Sequence, residues 1–381
     1  MNSHAQTSGA TVLAIREITP QQYAEFLSAH PTASFLQNPR WSHVKDGWSG
    51  ELLGVFDSEG LIATAGVLYR PLPILRHKFL AYVPEGPVFD PRKVAVETLL
   101  PSLVNHLRSS GAFLVRMGLP GSVQRWSAQE VRRSLTKGDE TLLEQLEPLE
   151  QDPQGVEIHA ALENLGWDPP QNSEEFEAGQ PRYQARIPLT DSDVDDVLAR
   201  MDQTSRRQTR KSLRSELSVS VGDEGDLAAW HQLYSETAQR DDFTARPLSY
   251  FQRMYAELNA SPNCECVLYF ASYQEETLAA AIYVRQGEFA WYVYGASSTQ
   301  ERKRYAPRVL QLRQIEDALA AGCQWYDLGG VSPSLDSENP LAGLTRFKTT
   351  MGADVVETLG EWSYPINRVL AKAFDWYMAR R

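Results

Sequence analysis

The feature that most constrains the fold of this chain is an internal repeat of secondary-structure elements. In the first half, Glu51–Phe56 and Leu61–Arg70 are predicted strands joined by a short polar turn, which makes a hairpin. In the second half, Cys266–Ala271 and Thr277–Arg285 repeat this hairpin. Two similar hairpins, each at the start of a longer matching layout, indicate a duplicated fold.

Each hairpin is followed by a third strand, a long amphipathic helix and a fourth strand. These elements are Phe79–Val83, Val94–Ser109 and Ala112–Met117 in the first half, and Phe289–Tyr294, Ala306–Ala321 and Cys323–Leu328 in the second. Gly111 and Gly322 follow the two helices, where a left-handed residue commonly ends a helix. Matching residues lie 210 to 215 positions apart. The pattern predicts a mixed α/β fold of two tandem acyltransferase-like domains with a cleft between or beside them.

The repeat also sets the predicted domain boundaries, which are 1–178 plus 358–381 for the first domain and 179–357 for the second. Residues 122–165 are charged and helix-prone, and they are predicted to be an insertion in the first domain, followed by a linker over 166–180. The amphipathic segment Ile366–Met378 lies beyond the second repeat. It is predicted to pack on the first domain, with contact to a membrane surface as the alternative.

The composition is that of an ordinary folded protein, with 381 residues of which 42% are hydrophobic and 23% charged. The net charge of −12 argues against general attraction to nucleic acid or anionic lipid, so any polyanion needs a local basic site. Three cysteines without a CxxC pair indicate reduced thiols and a cytoplasmic protein. Met1–Thr11 lacks the blocks of a signal peptide, and no apolar run is long enough to span a membrane.

The most concentrated basic segment holds five cations within nine residues: Arg206, Arg207, Arg210, Lys211 and Arg214. Such a cluster is either a solvated helix face or a site for phosphates from a tRNA backbone or a lipid headgroup. The seven histidines lack metal-ligand spacing, so no metal site is expected.

Six short motifs occur in an order and at a spacing typical of one enzyme family. They are Phe35–Lys45 followed by Gly47–Trp48, Tyr82–Val88, Arg206–Arg210, Tyr294–Ser298, Gly322–Gly330, and Gly343–Lys348 followed by Gly352. With these motifs the chain resembles the Fem peptidyltransferases (FemA, FemB and FemX), which build peptidoglycan cross-bridges with aminoacyl-tRNA as the donor. The resemblance extends over nearly the whole chain and implies two tandem GNAT-like domains, in agreement with the repeat.

The resemblance implies an aminoacyltransferase that acts on a peptidoglycan precursor, either lipid II or the soluble UDP-MurNAc-pentapeptide. The enzyme would form a peptide bond on the side-chain amine of the diamino acid, with aminoacyl-tRNA as co-substrate and no cofactor. Because the aminoacyl ester is already activated, the reaction needs positioning, loss of a proton and stabilisation of the oxyanion. The protein would be cytoplasmic, and peripheral contact with the inner membrane surface is left open.

The resemblance also implies roles for individual residues. The precursor-binding residues would be Lys45, Trp48, Arg246, Tyr250, Tyr292 and Tyr294, and those of the transfer step would be Phe347 and Lys348. Arg246 and Tyr250 are four apart, which predicts one helix face. Tyr292 and Tyr294 alternate along a predicted strand, so both should point the same way, and which one binds the precursor is left open. The charge of Lys348 would repel the protonated acceptor amine and so favour its neutral, reactive form. The same charge would face either the oxyanion or a tRNA phosphate.

Two departures from the family pattern bear on this expectation. Gly118 stands near a position where the family often carries an aspartate that was once proposed as a base, so the base is unidentified here. Only Phe251–Glu265 separates the Arg246 segment from the next strand, which indicates a member without the long coiled-coil arm.

Two other functions share part of this pattern. A coenzyme A-dependent N-acyltransferase would have the same fold, yet the helix entry Glu301–Pro307 has no glycine to bring backbone amides close to a pyrophosphate. A non-catalytic module that holds a precursor or tRNA is the second alternative. The pair Phe347 and Lys348 argues against such a module, and the missing aspartate argues for it.

Overall fold

The computed structural model describes residues 13–138, 140–170 and 180–378. The Met1–Thr11 segment and most of the predicted linker over 166–180 lie outside these residues. The strands are β1 Ala14–Glu17, β2 Ser49–Phe56, β3 Leu61–Pro71, β4 Phe79–Val83, β5 Val88–Phe89, β6 Ala112–Gly118, β7 Ser122–Trp126, β8 Glu150–Gln151, β9 Tyr183–Pro188, β10 Leu217–Gly222, β11 Cys264–Tyr273, β12 Glu276–Gln286, β13 Phe289–Ser297, β14 Trp325–Gly330, β15 Asp354–Thr358 and β16 Glu361–Pro365. The α-helices are α1 Pro20–Ser28, α2 Trp41–Val44, α3 Val96–Ser110, α4 Ala128–Lys137, α5 Pro153–Asn164, α6 Val194–Arg200, α7 Gln203–Ser212, α8 Leu227–Arg240, α9 Leu248–Asn259, α10 Ala306–Ala320, α11 Ala342–Thr350 and α12 Arg368–Met378.

The strands of the described residues form two sheets with the same central topology. The first has the order β1-β2-β3-β4-β6-β16, with β5 on β3, and the second has the order β10-β11-β12-β13-β14-β9-β15-β7-β8. In each sheet three antiparallel strands are followed by a parallel neighbour, which is reached through a crossover helix, α3 or α10. The two repeats predicted from the sequence therefore fold as two similar mixed α/β units.

In each unit the strand next to the parallel pair comes from outside the repeat. In the first sheet β6 pairs with β16, which follows the second repeat in the chain. In the second sheet β14 pairs with β9, which precedes it. The chain after Thr358 therefore runs back to the first sheet, where Phe374 of α12 packs against Phe113 with ring centroids 5.6 Å apart.

The predicted insertion over 122–165 does not lie as a helical unit in the first domain. Its strands β7 and β8 extend the second sheet, because β7 pairs with β15 and β8 with β7. Trp126 and Leu143 are fully buried in the core of the second unit, whereas α5 packs on the core of the first through Ile158 and Leu162, and Val123 of β7 also contacts that core. A five-residue strand between charged segments carries little periodicity of its own, and its partner lies more than 200 residues away in the chain.

The two units meet through a shared apolar cluster on one face of the second sheet. Phe35, Trp41 and Leu68 of the first half are buried there against Trp230 and Phe251 of the second, among others. The Nε2 of Gln286 donates to the carbonyls of Ala33 and Ser34 at 3.1 and 2.8 Å and adds polar contacts to this interface. We call this the interdomain face. The opposite face is covered by α6, α10 and α11 and is called the helical face.

The second sheet has an opening that the first sheet lacks. Strands β13 and β14 pair over only three positions, from Phe289 with Trp325 to Trp291 with Asp327. The matching strands β4 and β6 stay paired from Phe79 to Val83. Because β13 continues to Ser297, its end and that of β14 are not paired with each other, and the sheet is open between them. We call this opening, which connects the two faces of the sheet, the strand opening.

Candidate functional site

A β-bulge beside the strand opening sends two neighbouring tyrosines to opposite faces of the sheet. On β12, Ile282 lies opposite Tyr294 and Tyr283 lies opposite Tyr292, so Val293 is an extra residue on β13. Tyr294 packs on the interdomain face, and Tyr292 packs on the helical face. The prediction that both tyrosines point the same way is therefore wrong, because the bulge breaks the alternation that it assumes.

A cationic–aromatic cluster occupies the interdomain face beside Tyr294, and we define it as Lys45, Arg246, Tyr250 and Tyr294. The Tyr294 hydroxyl donates to the Tyr250 hydroxyl at 3.3 Å. The guanidinium carbon of Arg246 lies 4.8 Å from the centre of the Tyr250 ring, a cation–π geometry. The ring of Phe251 meets that of Tyr294 edge to face at 5.0 Å and fixes its position. Residues from both halves of the chain thus converge on one site.

Arg246 reaches this cluster from a position before the helix. Helix α9 begins at Leu248 with Pro247 as its N-cap, so Arg246 and Tyr250 do not share a helix face as predicted. A residue that precedes proline is disfavoured in the helical conformation, which explains why the helix does not extend back to Arg246. His231 instead holds the Arg246 backbone, with its Nε2 2.9 Å from the Arg246 carbonyl oxygen.

Lys45 is the member of the cluster contributed by the first half of the chain. It caps the C-terminal end of α2, and its Nζ lies 5.4 Å from the centre of the Trp41 ring. Burial and the nearby charge of Arg246 lower the pKa of Lys45 to about 8. The charges of Lys45 and Arg246 repel each other, and neither is paired with a carboxylate among the described residues. An anionic ligand would therefore stabilise both.

Trp48 lies at the margin of the cluster rather than within it. Its ring centroid is 6.1 Å from that of Tyr82, and the Arg70 guanidinium lies 5.6 Å above it. The Nε2 of Gln180 donates to the Tyr82 hydroxyl at 3.2 Å. Trp48 therefore offers an apolar surface next to the cluster on the first domain.

Lys348 lies on the helical face at the other side of the strand opening. It is carried by α11 and is only 7% exposed, and its Nζ donates to the Gly330 carbonyl at 2.6 Å. Burial lowers the pKa of Lys348 to about 8, while the carboxylate of Asp327 opposes that shift. Gly329 (φ 80°) comes within 3.7 Å of this Nζ, measured from the position its Cβ would have. The ammonium group thus lies directly at the end of β14.

Phe347 and Tyr292 lie on this same helical face. The guanidinium carbon of Arg308 is 5.0 Å from the centre of the Phe347 ring. Burial raises the pKa of Tyr292 to about 12, partly offset by a hydrogen bond with Gln311 of α10. Sequence reasoning missed Arg308, which is buried at the N-terminal turn of α10. The structure therefore divides the predicted residues into two groups, with Lys348, Phe347 and Tyr292 opposite the cationic–aromatic cluster.

The basic segment forms an exposed ridge beside the helical-face group. Four of its five cations are exposed on or just after α7, Arg206 is half-buried, and none forms an ion pair with another described residue. The Lys211 Nζ lies 5.3 Å from the centre of the Tyr305 ring, which connects α7 to the start of α10. Exposed Arg302 and Lys303 lie just before Tyr305 and extend the ridge, a continuation that the linear spacing does not reveal. The ridge, defined as Arg206, Arg207, Arg210, Lys211, Arg214, Arg302 and Lys303, is the concentrated positive surface next to Lys348.

Comparisons with known proteins bear on the family and the fold of this chain. A model described as the FemAB family matches residues 18–261 and 263–377. Proteins named lipid II:glycine glycyltransferase from Staphylococcus saprophyticus and from Staphylococcus aureus strain COL are each 22% identical to this chain, with 94% of this chain and 94% of each relative covered.

Solved structures give the same result for the fold. A crystal structure of FemX superposes with a TM-score of 0.78 at 21% identity and covers 94% of this chain and 99% of its own. A tandem GNAT protein from the clavulanic acid biosynthesis pathway has a TM-score of 0.53 at 10% identity and covers 93% and 99%. The predicted tandem GNAT-like fold is confirmed. With a family model that matches both halves, the chain belongs to the FemAB family and is an aminoacyltransferase.

Proposed function

We propose that the protein transfers an amino acid from aminoacyl-tRNA to the side-chain amine of a peptidoglycan stem peptide, carried by lipid II or by UDP-MurNAc-pentapeptide. The observation that carries this proposal is the placement of two different polar groups on the two sides of one strand opening. The cationic–aromatic cluster suits an acceptor with phosphates and a sugar. The basic ridge and Lys348 suit a polyanionic donor with a reactive ester.

The cluster offers what binding of a pyrophosphate-linked sugar requires. Lys45 and Arg246 can supply charge-assisted hydrogen bonds, and the Arg246 guanidinium is held over the Tyr250 ring. Tyr294 supplies a hydroxyl within the same cluster. The glycyltransferase relatives bear the name of lipid II, which supports a precursor of this class as the acceptor.

The other side of the opening suits the donor. Attack by the acceptor nitrogen on the ester carbonyl develops negative charge on oxygen, and a buried ammonium at the end of β14 is preorganised to stabilise it. The ridge suits a tRNA backbone, and the half-buried Phe347 ring beside Arg308 offers a stacking surface next to Lys348. This chemistry needs no cofactor, and we place the protein in the cytoplasm.

The decisive experiment is an assay of the purified protein with UDP-MurNAc-pentapeptide or lipid II and a mixture of charged tRNAs, analysed by mass spectrometry. We expect a mass increase of one aminoacyl group on the stem peptide that requires charged tRNA. Acyl transfer from acetyl-coenzyme A in place of tRNA would favour the N-acyltransferase alternative. Tight binding of either substrate without any product would favour a non-catalytic module.

The ridge is expected to determine how strongly tRNA binding depends on salt. Arg206→Ala combined with Arg210→Ala should weaken tRNA binding and lower the slope of log K against log salt by about 0.7 to 0.9 for each phosphate that the protein no longer neutralises. Arg92→Ala combined with Arg313→Ala removes the same charge from exposed arginines that are paired with Asp90 and Asp317, and it should leave the slope unchanged. Binding is measured by filter retention at salt concentrations between about 50 and 200 mM. Equal slopes for all three proteins would mean that the ridge is an idle solvated surface.

We also propose that the first domain rests on an anionic membrane surface. The β3–β4 turn exposes Ile74 almost completely, at 94%, with Arg76 next to it. Helix α12 exposes Val369 and Trp376, which lie two turns apart on the same side of the helix, with Lys372 between them in the chain. The turn and the helix adjoin, because Leu72 and Leu370 pack against the same buried cluster that Trp48 contacts. None of the helices in the described ranges is long and apolar enough to cross a bilayer, so the contact would be peripheral.

Flotation with vesicles of phosphatidylglycerol and phosphatidylcholine tests this contact. Ile74→Ser combined with Trp376→Ser should lower vesicle binding at least tenfold, because each buried side chain contributes about 1.5–3 kcal/mol. Val156→Ser combined with Val221→Ser changes two apolar residues exposed elsewhere and should have no effect. If the wild-type protein fails to float, or if both double variants float equally well, this surface does not bind membranes.

A further inference from the structure

An interdomain cleft of about 620 Å³ lies on the interdomain face, and its lining includes no residue of the cationic–aromatic cluster or of the basic ridge. Glu85 and Gly118 line it from the first unit, and Arg186 and Trp291 line it from the second. Gln180 also lines the cleft and donates to the Tyr82 hydroxyl, next to Trp48. The cleft therefore extends from the margin of the cluster to the strand opening, where Trp291 is the last residue of β13 that pairs with β14.

The turn that carries Glu85 is held in an uncommon backbone conformation. Glu85 has a φ of 45°, which non-glycine residues rarely adopt and which costs about 1–3 kcal/mol unless the surroundings enforce it. Buried Gln37 enforces it from both sides. Its Nε2 donates to the Pro84 carbonyl at 2.6 Å, and a Cβ on Gly86 would lie only 2.6 Å from the Gln37 side chain. The turn is therefore built to present Glu85 at one place in the cleft.

The Glu85 carboxylate faces polar and charged side chains of both units. The side chains of Ser34 and Gln184 face it, and Arg186 and Asp327 are the charged groups nearby. Arg186 is already paired with Asp327 at 2.8 Å, and no cation of the described residues lies within ion-pairing distance of Glu85. Burial raises the pKa of Glu85 above its usual value. A desolvated carboxylate of this kind is stabilised by an ammonium ligand and suited to accept its proton.

The carboxylate of Asp327 lies near both Glu85 and Lys348. Asp327 is the last residue of β14 that pairs with β13, so it marks the start of the strand opening. Its charge raises the pKa of Glu85 and opposes the lowering of the Lys348 pKa. An acceptor amine in the cleft beside Glu85 could therefore reach, through the strand opening, a donor ester carbonyl that is held near Lys348.

We propose that this cleft binds the side-chain amine of the acceptor and that Glu85 is the base that takes its proton, an inference that rests on the proposed function. The ammonium gives one proton to the carboxylate of Glu85, and the freed nitrogen forms a bond with the ester carbonyl carbon. The bond between that carbon and the ribose oxygen of tRNA breaks, and this oxygen takes the second proton from nitrogen. Glu85 then releases its proton to solvent through the open cleft.

Glu85→Gln tests the role of the base, because it keeps the size of the side chain and removes the proton acceptor. At pH 7 the transfer rate should fall about 100-fold, within the usual range for loss of a general base. The variant can use only an acceptor whose amine has already lost its proton. For an amine of pKa about 10.4, the neutral fraction rises tenfold with each pH unit in this range. The ratio of wild-type to variant rate should therefore fall about tenfold per unit between pH 6.5 and 8.5. Because the two enzymes share Lys348, its own titration cancels in this ratio.

Asp90→Asn serves as the matched control, because Asp90 lies five residues after Glu85 and is paired with Arg92 outside the cleft. The transfer rate of this variant should equal that of the wild type. Glu85→Asp should keep more activity than Glu85→Gln if a carboxylate is required. Thermal unfolding of each variant reports whether the turn still folds. A rate ratio that stays constant with pH, or Asp and Gln variants of equal activity, would overturn the role of Glu85 while leaving the proposed function intact. Absence of transfer by the wild type with every charged tRNA would overturn the proposed function itself.

Discussion

Lys348→Met is expected to lower turnover about 100-fold or more while changing the acceptor KM little. The ammonium group lies at the end of β14 beside the strand opening, and its charge is most useful when the oxyanion develops. An interaction made only in the transition state lowers kcat and kcat/KM equally when it is removed. The measurement is steady-state transfer from charged tRNA to the precursor with both substrates varied. Turnover near that of wild type would show that Lys348 is a structural cation.

The pH dependence of this variant separates a charge role from a base role. Because the pKa of Lys348 is lowered to about 8, the wild type loses this charge as the pH rises through 8. If the charge stabilises the oxyanion, the advantage of wild type over Lys348→Met should be largest below pH 8 and shrink above it. An advantage that grows above pH 8 would instead mean that neutral Lys348 acts as a base.

Loss of activity in this variant should not come from unfolding. The folded-state pKa of about 8 lies below the unfolded value of about 10.4, so burial of the charged form costs about 3 kcal/mol below pH 8. Between these values the folded protein has released its proton and the unfolded chain has not, so stability rises with pH. Methionine removes the cost and also the hydrogen bond to Gly330, and Lys348→Met should unfold at pH 7 no more easily than wild type. Thermal unfolding at pH 7 and pH 9 checks this.

Much of the fold could be predicted because its determinants are local in sequence. The two hairpins have short turns, and the helix-ending glycines Gly111 and Gly322 adopt φ values of 115° and 75° as expected of left-handed residues. The strand exchange between the units could not be predicted in the same way. The partners of β7, β9 and β16 are chosen by pairing across long distances in the chain, and no local pattern records that choice.

The candidate site was predictable in its residues more than in its geometry. Motif spacing identifies Lys45 and Lys348, yet it does not reveal that a strand opening separates their faces of the sheet. Two local signals were present. Gly295 marks the bulge, since a Cβ there would overlap the Tyr292 hydroxyl, and Pro247 marks the chain before α9 as non-helical. Glu85 gave only a weak signal, a carboxylate between Pro84 and Gly86, because its partners come from distant strands.

Lys45→Met is expected to have the opposite kinetic effect to the change at Lys348. It should raise the acceptor KM about 10- to 100-fold with a smaller effect on turnover, as expected for loss of a charged hydrogen bond of about 1.5–3 kcal/mol. A phosphate contact is made equally in the ground and transition states, so its loss removes uniform binding. Lys93→Met, a change at an exposed lysine of the same domain, should leave both constants unchanged.

The titration of Lys45 gives this prediction a second readout. Burial and Arg246 lower its pKa to about 8, so acceptor binding to the free enzyme should weaken as the pH rises through 8 and Lys45 loses its charge. In Lys45→Met that part of the pH dependence should disappear, whereas in Lys93→Met it should persist. Calorimetric titration of the soluble precursor at pH 6.5 to 9 measures the difference without any transfer step. If Lys45→Met binds the precursor as tightly as wild type across this range, then Lys45 does not contact the acceptor, and its low pKa reflects only its packing between Trp41 and Arg246.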